Sequence, residues 1–191
     1  MEILIITGPP YSGKGTQCEI IKEQVGYHHI STGDRCRLEK ENKTVIGKIM
    51  SVYEEKGDLV PDSIMKDLFE KIIDENLEEK GIILDGYPRT TSQVKDLIEL
   101  TSLKGLKISK VISIDVPHDE LLKRAQHRAE TSNRADDKDL LIHQKRIDVF
   151  EEHTQPAIDY MNSKLEFLSF NGLGSIEEVT KNIFESLNHN S

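Results

Sequence analysis

Short apolar runs alternate along this chain with longer stretches in which apolar residues recur every three or four positions. That alternation predicts a mostly parallel sheet with helices on both faces. The runs place strands at Ile3–Thr7, weakly at His28–Ser31, and at Ile82–Leu84, Val111–Val116 and Glu166–Phe170. Between them, Ser63–Leu77 carries Ile64, Leu68 and Ile72 with Met65, Phe69 and Ile73 at i, i+4 spacing, one apolar helical face. Pro61-Asp62 stands just ahead, and an aspartate there offers a cap to the free N–H groups. Asp119–Glu130, Lys138–Lys164 and Ile176–Leu187 also read as helices, the middle one bent near Pro156.

Two segments interrupt the alternation. Thr32–Pro61 is helical in pattern but has too little apolar content to be core throughout, and Arg128–Asp137 is polar and loop-like. Insertions into a rigid sheet scaffold are where substrate-gripping and closing parts tend to sit. No internal repeat, low-complexity stretch or linker is found, so residues 1–191 read as one domain.

Composition narrows the function. A net charge of −9 argues against general nucleic-acid binding, and it makes local arginine clusters more telling. Two cysteines, Cys18 and Cys36, do not form the pattern of a secreted disulfide scaffold, so reduced thiols in a cytoplasm are expected. Cys18 reads as a small packed residue, and His28-His29 as flanks of a short strand. No histidine sits at zinc-ligand spacing with cysteine or another histidine. The N-terminal run has no basic region ahead of it and is too short to span a membrane, and Asn188–Ser191 reads as a frayed tail. Nothing looks like an exposed apolar interface, so a monomer without nucleic-acid or membrane partners is expected.

The chemistry lies in three constellations. Gly8-Pro-Pro-Tyr-Ser-Gly-Lys-Gly-Thr16 joins the first strand to the first helix. Its glycines let backbone N–H groups face phosphate oxygens, the helix start adds positive dipole, and Lys14 reaches terminal phosphates. Gly15 stands between Lys14 and Thr16 where the generic pattern has the hydroxyl residue directly, and Tyr11 occupies a place better suited to glycine. Asp85 ends the apolar run Ile82–Leu84, a usual seat for a carboxylate that holds Mg²⁺ through water. Arg89 follows four residues on, and Arg37 is a second anion grip. Finally Arg124, Arg128, Arg134 and Arg146 form a cationic set. Arg124 and Arg128 share a helix face, and like charges so placed repel unless an anion unites them. Phosphoryl transfer needs such a clamp. A salt-bridged surface with Glu130, Asp136 and Asp137 is the bland alternative.

These motifs, in this order, resemble the adenylate kinases over essentially the whole chain: Gly-x-Pro-x-Ser-Gly-Lys-Gly-Thr-Gln, Ile-Ser-Thr-Gly-Asp, Asp-Gly-Tyr-Pro-Arg-Thr and Arg-x-x-x-Arg…Arg-x-Asp-Asp. The resemblance implies a P-loop fold, an α/β five-stranded parallel sheet flanked by helices, and transfer from Mg²⁺-ATP to AMP giving two ADP. It puts the ATP site on Gly8, Ser12, Gly13, Lys14, Gly15 and Thr16, with Arg124, Arg128 and Gly174. It puts the AMP site on Thr32, Arg37, Gly57, Leu59, Val60, Gly86, Arg89, Gln93, Arg134 and Arg146. Lys14, Arg89, Arg124, Arg134 and Arg146 take the catalytic roles, and Asp85 orders the Mg²⁺ shell. Residues 31–61 become an AMP-binding subdomain and 128–138 a short lid, whose closure is a property of the family.

Thr32 and Gln93 favour AMP, since the pyrimidine monophosphate kinases have Ala at the first place and Asn near the second. An amide such as that of Gln93 can pair both a donor and an acceptor on one base edge. The chain departs from the family pattern at Tyr11, at Ala129 and Asn133 where lid glycines stand, and in a stretch from Asp137 to Arg146 one residue longer. A pyrimidine or broad-specificity nucleoside monophosphate kinase, and a nucleotide-binding module without turnover, are the competing readings.

Overall fold

A computed structural model describes residues 1–131 and 139–189. Five parallel strands form one sheet in the order β2-β3-β1-β4-β5. They are β1 (Glu2–Thr7), β2 (His28–Ser31), β3 (Gly81–Asp85), β4 (Lys107–Asp115) and β5 (Phe167–Asn171). The helices are α1 (Lys14–Val25), α2 (Thr32–Glu41), α3 (Val45–Glu54), α4 (Asp62–Glu75), α5 (Thr91–Leu103), α6 (His118–Thr131), α7 (Leu140–Val149), α8 (Gln155–Lys164) and α9 (Ile176–His189). This is the α/β architecture that the alternation predicts, with β4 longer than its apolar centre and α5 an element the pattern did not single out. None of the described helices is long and apolar enough to cross a membrane.

The central strands are apolar throughout because both their faces are covered. Ile3 and Ile5 of β1, with Ile82 and Leu84 of β3, enter a core shared with Leu68, Phe69 and Ile72 of α4, Leu97 of α5 and Met161 of α8. The intervening Leu4, Ile6 and Ile83 point the other way, against Cys18 and Ile21 of α1 and Val179 and Ile183 of α9. Adjacent strands β1 and β3 therefore send their following helices to opposite faces. Their C-terminal ends, where Ile6 lies in register with Asp85, frame the crevice in which such sheets bind ligands.

One sequence expectation is corrected. Asp62 does not cap α4: Pro61 is the residue ahead of the helix, with no side-chain cap bond, and Asp62 is the first helical residue. Its carboxylate turns instead to α5, accepting from Thr90 Oγ1 at 3.0 Å and Gln93 Nε2 at 2.7 Å. The long helix expected over Lys138–Lys164 runs unbroken over residues 140–164. Lys138 lies outside the described residues, and a π-turn over Phe150–Thr154 joins α7 to α8 just ahead of Pro156. Pro156 supplies the reason: it has no N–H, and its ring crowds the carbonyl four residues back. The ladder widens just before it, Gln155 N–H reaching Phe150 O.

Candidate active site

The loop from Gly8 to Gly13 leaves β1 and delivers Lys14 as the first residue of α1. Gly8 has φ 134°, and a Cβ there would lie 2.4 Å from the Ile114 carbonyl oxygen, so only glycine fits against β4. Lys14 donates to Pro9 O at 2.6 Å, folding its ammonium back over the loop. Burial lowers its pKa to about 8, the nearby Arg89 and Arg128 adding to the fall while Asp85 opposes it. An ammonium so placed is charged at neutral pH but poorly solvated, and a polyanion would complete its environment. Ser12 Oγ is buried without a hydrogen-bond partner among the described residues.

Asp85 sits where the sequence places it, at the end of β3. Around it is a group that sequence spacing did not reveal. His29, in the neighbouring strand β2, presents Nε2 to Asp85 Oδ2 at 3.3 Å, while its Nδ1 lies 2.6 Å from Glu19 Oε1 of α1. Burial opposes a charged His29, but the hydrogen bonds with Asp85 and Glu19 outweigh it, and its pKa is raised. Cys18, fully buried in α1, lies against the same carboxylate, and burial first, then Asp85, pushes its thiol pKa up strongly. The signal for this group was pairing: His28–Ser31 runs beside β3 in register with Ile82–Asp85.

The side of the cleft around Arg89 is built from the turn after β3. Gly86 has φ 79°, and a Cβ there would come within 2.9 Å of an Arg89 guanidinium nitrogen. Arg89 Nε donates to Gly86 O at 2.7 Å, so the glycine both turns the chain and leaves room for the arginine it holds. Thr32 Oγ1 donates to Asp85 O at 3.0 Å. Gln93 accepts from Arg89 N–H at 2.7 Å and donates to Asp62 at 2.7 Å, which leaves one amide hydrogen and one lone pair. Arg37 pairs with Asp34 on α2.

One cleft of ≈ 730 Å³ gathers Gly8, Gly13, Lys14, Gly15, Thr16, Arg37, Gly57, Leu59, Asp85, Gly86, Arg89, Arg128 and Arg146. Such a volume suits small-molecule ligands. Other expected site residues do not line it. Thr32 and Gln93 are buried behind Asp85 and Arg89, and Val60 packs into the core. Gly174 sits by Glu178, and Ser12 turns inward. Arg124 and Arg128 do not act as one pair. Arg124 braces the back of the Gly8–Gly13 loop, donating to Tyr11 O and Ser12 O at 3.5 Å and to Gly172 O at 2.9 Å, while Arg128 lies 5.8 Å from the centroid of the Tyr11 ring. Arg134, and with it residues 132–138 of the expected lid, lies outside the described residues. Tyr11 holds φ 68°, a left-handed conformation rare for a side chain of this size, and its phenol meets His143 of α7.

Asp85, the Thr16 hydroxyl and phosphate oxygens from a ligand make the all-oxygen, partly hydrated donor set that suits Mg²⁺. Both side chains line the cleft beside Lys14, so the residues present fit such an ion held through water.

The sequence model of the family described as Adenylate kinase matches residues 6–166. Among curated proteins, the adenylate kinase of Bacteroides thetaiotaomicron is 39% identical over 184 residues, covering 96% of this chain and 97% of its own. That of Parabacteroides distasonis is 39% identical over 186 residues, covering 97% of each. The adenylate kinase of Leptospira biflexa is 39% identical over 187 residues, 98% of this chain and 100% of that one.

Proposed function

The chain belongs to the adenylate kinase family, and from that premise we propose how its cleft carries out ATP-dependent phosphoryl transfer to AMP, giving two ADP. The observation that carries the assignment is the convergence of Lys14, Asp85, Arg89, Arg128 and Arg146 on one cleft at the switch point of the sheet.

The loop N–H groups and Lys14 hold the donor phosphates at the start of α1. Arg89 and Arg37 take the acceptor phosphate, with residues 31–61 forming the acceptor subdomain and Gly57 and Leu59 beside the base. Thr32 and Gln93 act from behind that wall. Thr32 ties the end of β3 to α2, and Gln93 holds Arg89 through its backbone while its remaining amide valences serve base recognition. Arg128 and Arg146 neutralise charge on the transferring group from α6 and α7, and Arg134 joins them from a lid over 128–138. Arg124 serves by bracing the phosphate loop, and Gly174 borders the donor adenosine. When bound, Mg²⁺ supplies charge neutralisation and a fixed geometry for the phosphates, and Asp85 would hold it through water.

No covalent intermediate and no dedicated base are required, because positioning in line and electrostatic stabilisation supply the rate. The enzyme acts as a monomer in the cytoplasm. The test is ADP formation from Mg²⁺-ATP with AMP, CMP, UMP or GMP, beside an AMP-free control. Fast turnover with AMP alone is expected. Turnover with CMP or UMP instead would overturn the base reading by Thr32 and Gln93.

A further inference from the structure

Asp85 also meets two side chains beside the cleft. Its Oδ2 lies toward His29, Cys18 lies against the same carboxylate, and one ligand atom from each of the three residues lies within 4.8 Å of the others. A tetrahedral ion with bonds of about 2.0–2.3 Å needs ligand atoms about 3.3–3.8 Å apart, so side-chain rotations of under about 1 Å close the set. The orientation of His29 is the decisive detail. Its Nδ1 faces Glu19 Oε1 at 2.6 Å, and the Nδ1–H tautomer that this carboxylate favours leaves the Nε2 lone pair aimed at Asp85 Oδ2, 3.3 Å away. Two lone pairs face one another across that gap unless a proton or a metal ion lies between them. A carboxylate holding the far nitrogen of a histidine is also the arrangement that orients metal-ligating imidazoles.

We propose that Cys18, His29 and Asp85 form a binding site for a borderline or soft divalent cation of the Zn²⁺ type, and that its occupation inhibits the enzyme. Sulfur and imidazole ligands select such an ion over Mg²⁺, which prefers an all-oxygen shell. Binding replaces the Cys18 thiol proton, which leaves to solvent, and the carboxylates of Asp85 and Glu19 face the opposing charge of Lys14. His29, Glu19 and Asp85 line the cleft and give the ion its entry, with the Cys18 sulfur at the inner end. Three protein ligands leave a fourth position for water. The inhibition, though not the binding, rests on the proposed role of Asp85 toward Mg²⁺, because an ion shared with His29 and Cys18 takes that carboxylate from the transfer site.

Cobalt reports the site directly. Titrating the nucleotide-free full chain with Co²⁺ should give a thiolate-to-cobalt charge-transfer band at one equivalent. Zn²⁺ should abolish it, and Cys18→Ser should lack it. No band in the unaltered chain overturns the site, as does a band that persists in the variant and so comes from Cys36, the other thiol. Cys18→Ala is the second variant should the serine disturb folding, checked by thermal unfolding. Activity then reads the consequence. With Mg²⁺ in excess, the half-inhibiting Zn²⁺ concentration should rise at least about tenfold in Cys18→Ser, nucleotide chelation being common to both proteins. Equal sensitivity together with loss of the cobalt band would keep the site and overturn the assignment of Asp85 to the Mg²⁺ shell.

Discussion

Tyr11 in the phosphate loop and His143 in α7, 132 residues apart, share a hydrogen bond between phenol oxygen and imidazole Nδ1. Their rings meet edge to face with centroids 5.1 Å apart, and His143 is 1% exposed. The loop that would cradle ATP is thus strutted against the helix that follows the proposed lid. The strut also accounts for a bulky residue at a left-handed backbone position, which costs about 1–2 kcal/mol relative to glycine.

Tyr11→Phe separates the bond from the ring. It takes one partner from a buried imidazole, a loss of about 1–3 kcal/mol. For a domain of this size, Tm should fall by about 2–4 °C per kcal/mol, read by thermal unfolding without nucleotide. Tyr11→Gly also removes packing against the Val116, Leu121 and Ile147 cluster, but it recovers the backbone strain. Its Tm should therefore fall less than lost packing alone implies, while the KM for ATP changes and that for AMP does not. An unchanged Tm in Tyr11→Phe would show that the bond contributes nothing.

Lys14 ties activity and stability to pH in opposite senses. Its folded pKa, about 8, lies below the ordinary 10.5 of a lysine. The ammonium proposed to grip phosphate is present below pH about 8 and lost above it, so kcat/KM for ATP should fall as pH rises through that value. Between about 8 and 10.5 the unfolded chain binds the extra proton. The lysine's contribution to stability therefore rises with pH over that window, as the cost of a buried charge is relieved. Lys14→Met should lower kcat on the order of a thousandfold and remove both dependences. A pH profile of kcat/KM that is the same in the variant would assign the titration to another group.

Gly86→Ala should mimic a defect in Arg89. The new methyl would stand 2.9 Å from the Arg89 guanidinium at a backbone φ of 79°. Either the arginine moves or the turn does. The KM for AMP should rise on the order of tenfold, equivalent to about 1.4 kcal/mol, with kcat reduced and ATP binding retained. Arg89→Ala should show the same pattern more strongly. If AMP affinity survives in both variants, the acceptor phosphate is held elsewhere.

The parts of this molecule that were legible in the sequence are those written locally. Ile82–Leu84 ahead of Asp85 announced a buried strand with a carboxylate at its end, and the glycines around Lys14 announced the loop. Contacts made across the sheet were not legible, because one sequence carries no record of which strands pair. His29 reached Asp85 only through the β2–β3 register, and Tyr11 reached His143 only through the docking of α7. Arg124 and Arg128 share a helix face, yet one turn of rise lets the first brace the loop from behind while the second enters the cleft. Asp62 shows local and tertiary demands competing: a capping residue by type, it serves Thr90, just ahead of α5, and Gln93 within it, and Gln93 is buried and needs an acceptor.

That last contact bears on which base is accepted. Asp62 fixes the Gln93 amide from one side and the Arg89 N–H fixes it from the other, so its free hydrogen and lone pair are held in one orientation. An amide held this way reads a base edge at less entropic cost than a swinging one. Asp62→Ala should therefore lower the ratio of kcat/KM for AMP to that for CMP by about tenfold, or about 1.4 kcal/mol, and leave the KM for ATP unchanged. Because the Arg89 contact to Gln93 persists, kcat with AMP should fall less than in Arg89→Ala. Thr32→Ala, which frees Asp85 O from its only hydroxyl donor among the described residues, should lower the same ratio. A ratio unchanged in both variants, alongside a lowered Tm in Asp62→Ala, would reduce Asp62 to a link between α4 and α5 and take base recognition away from Thr32 and Gln93.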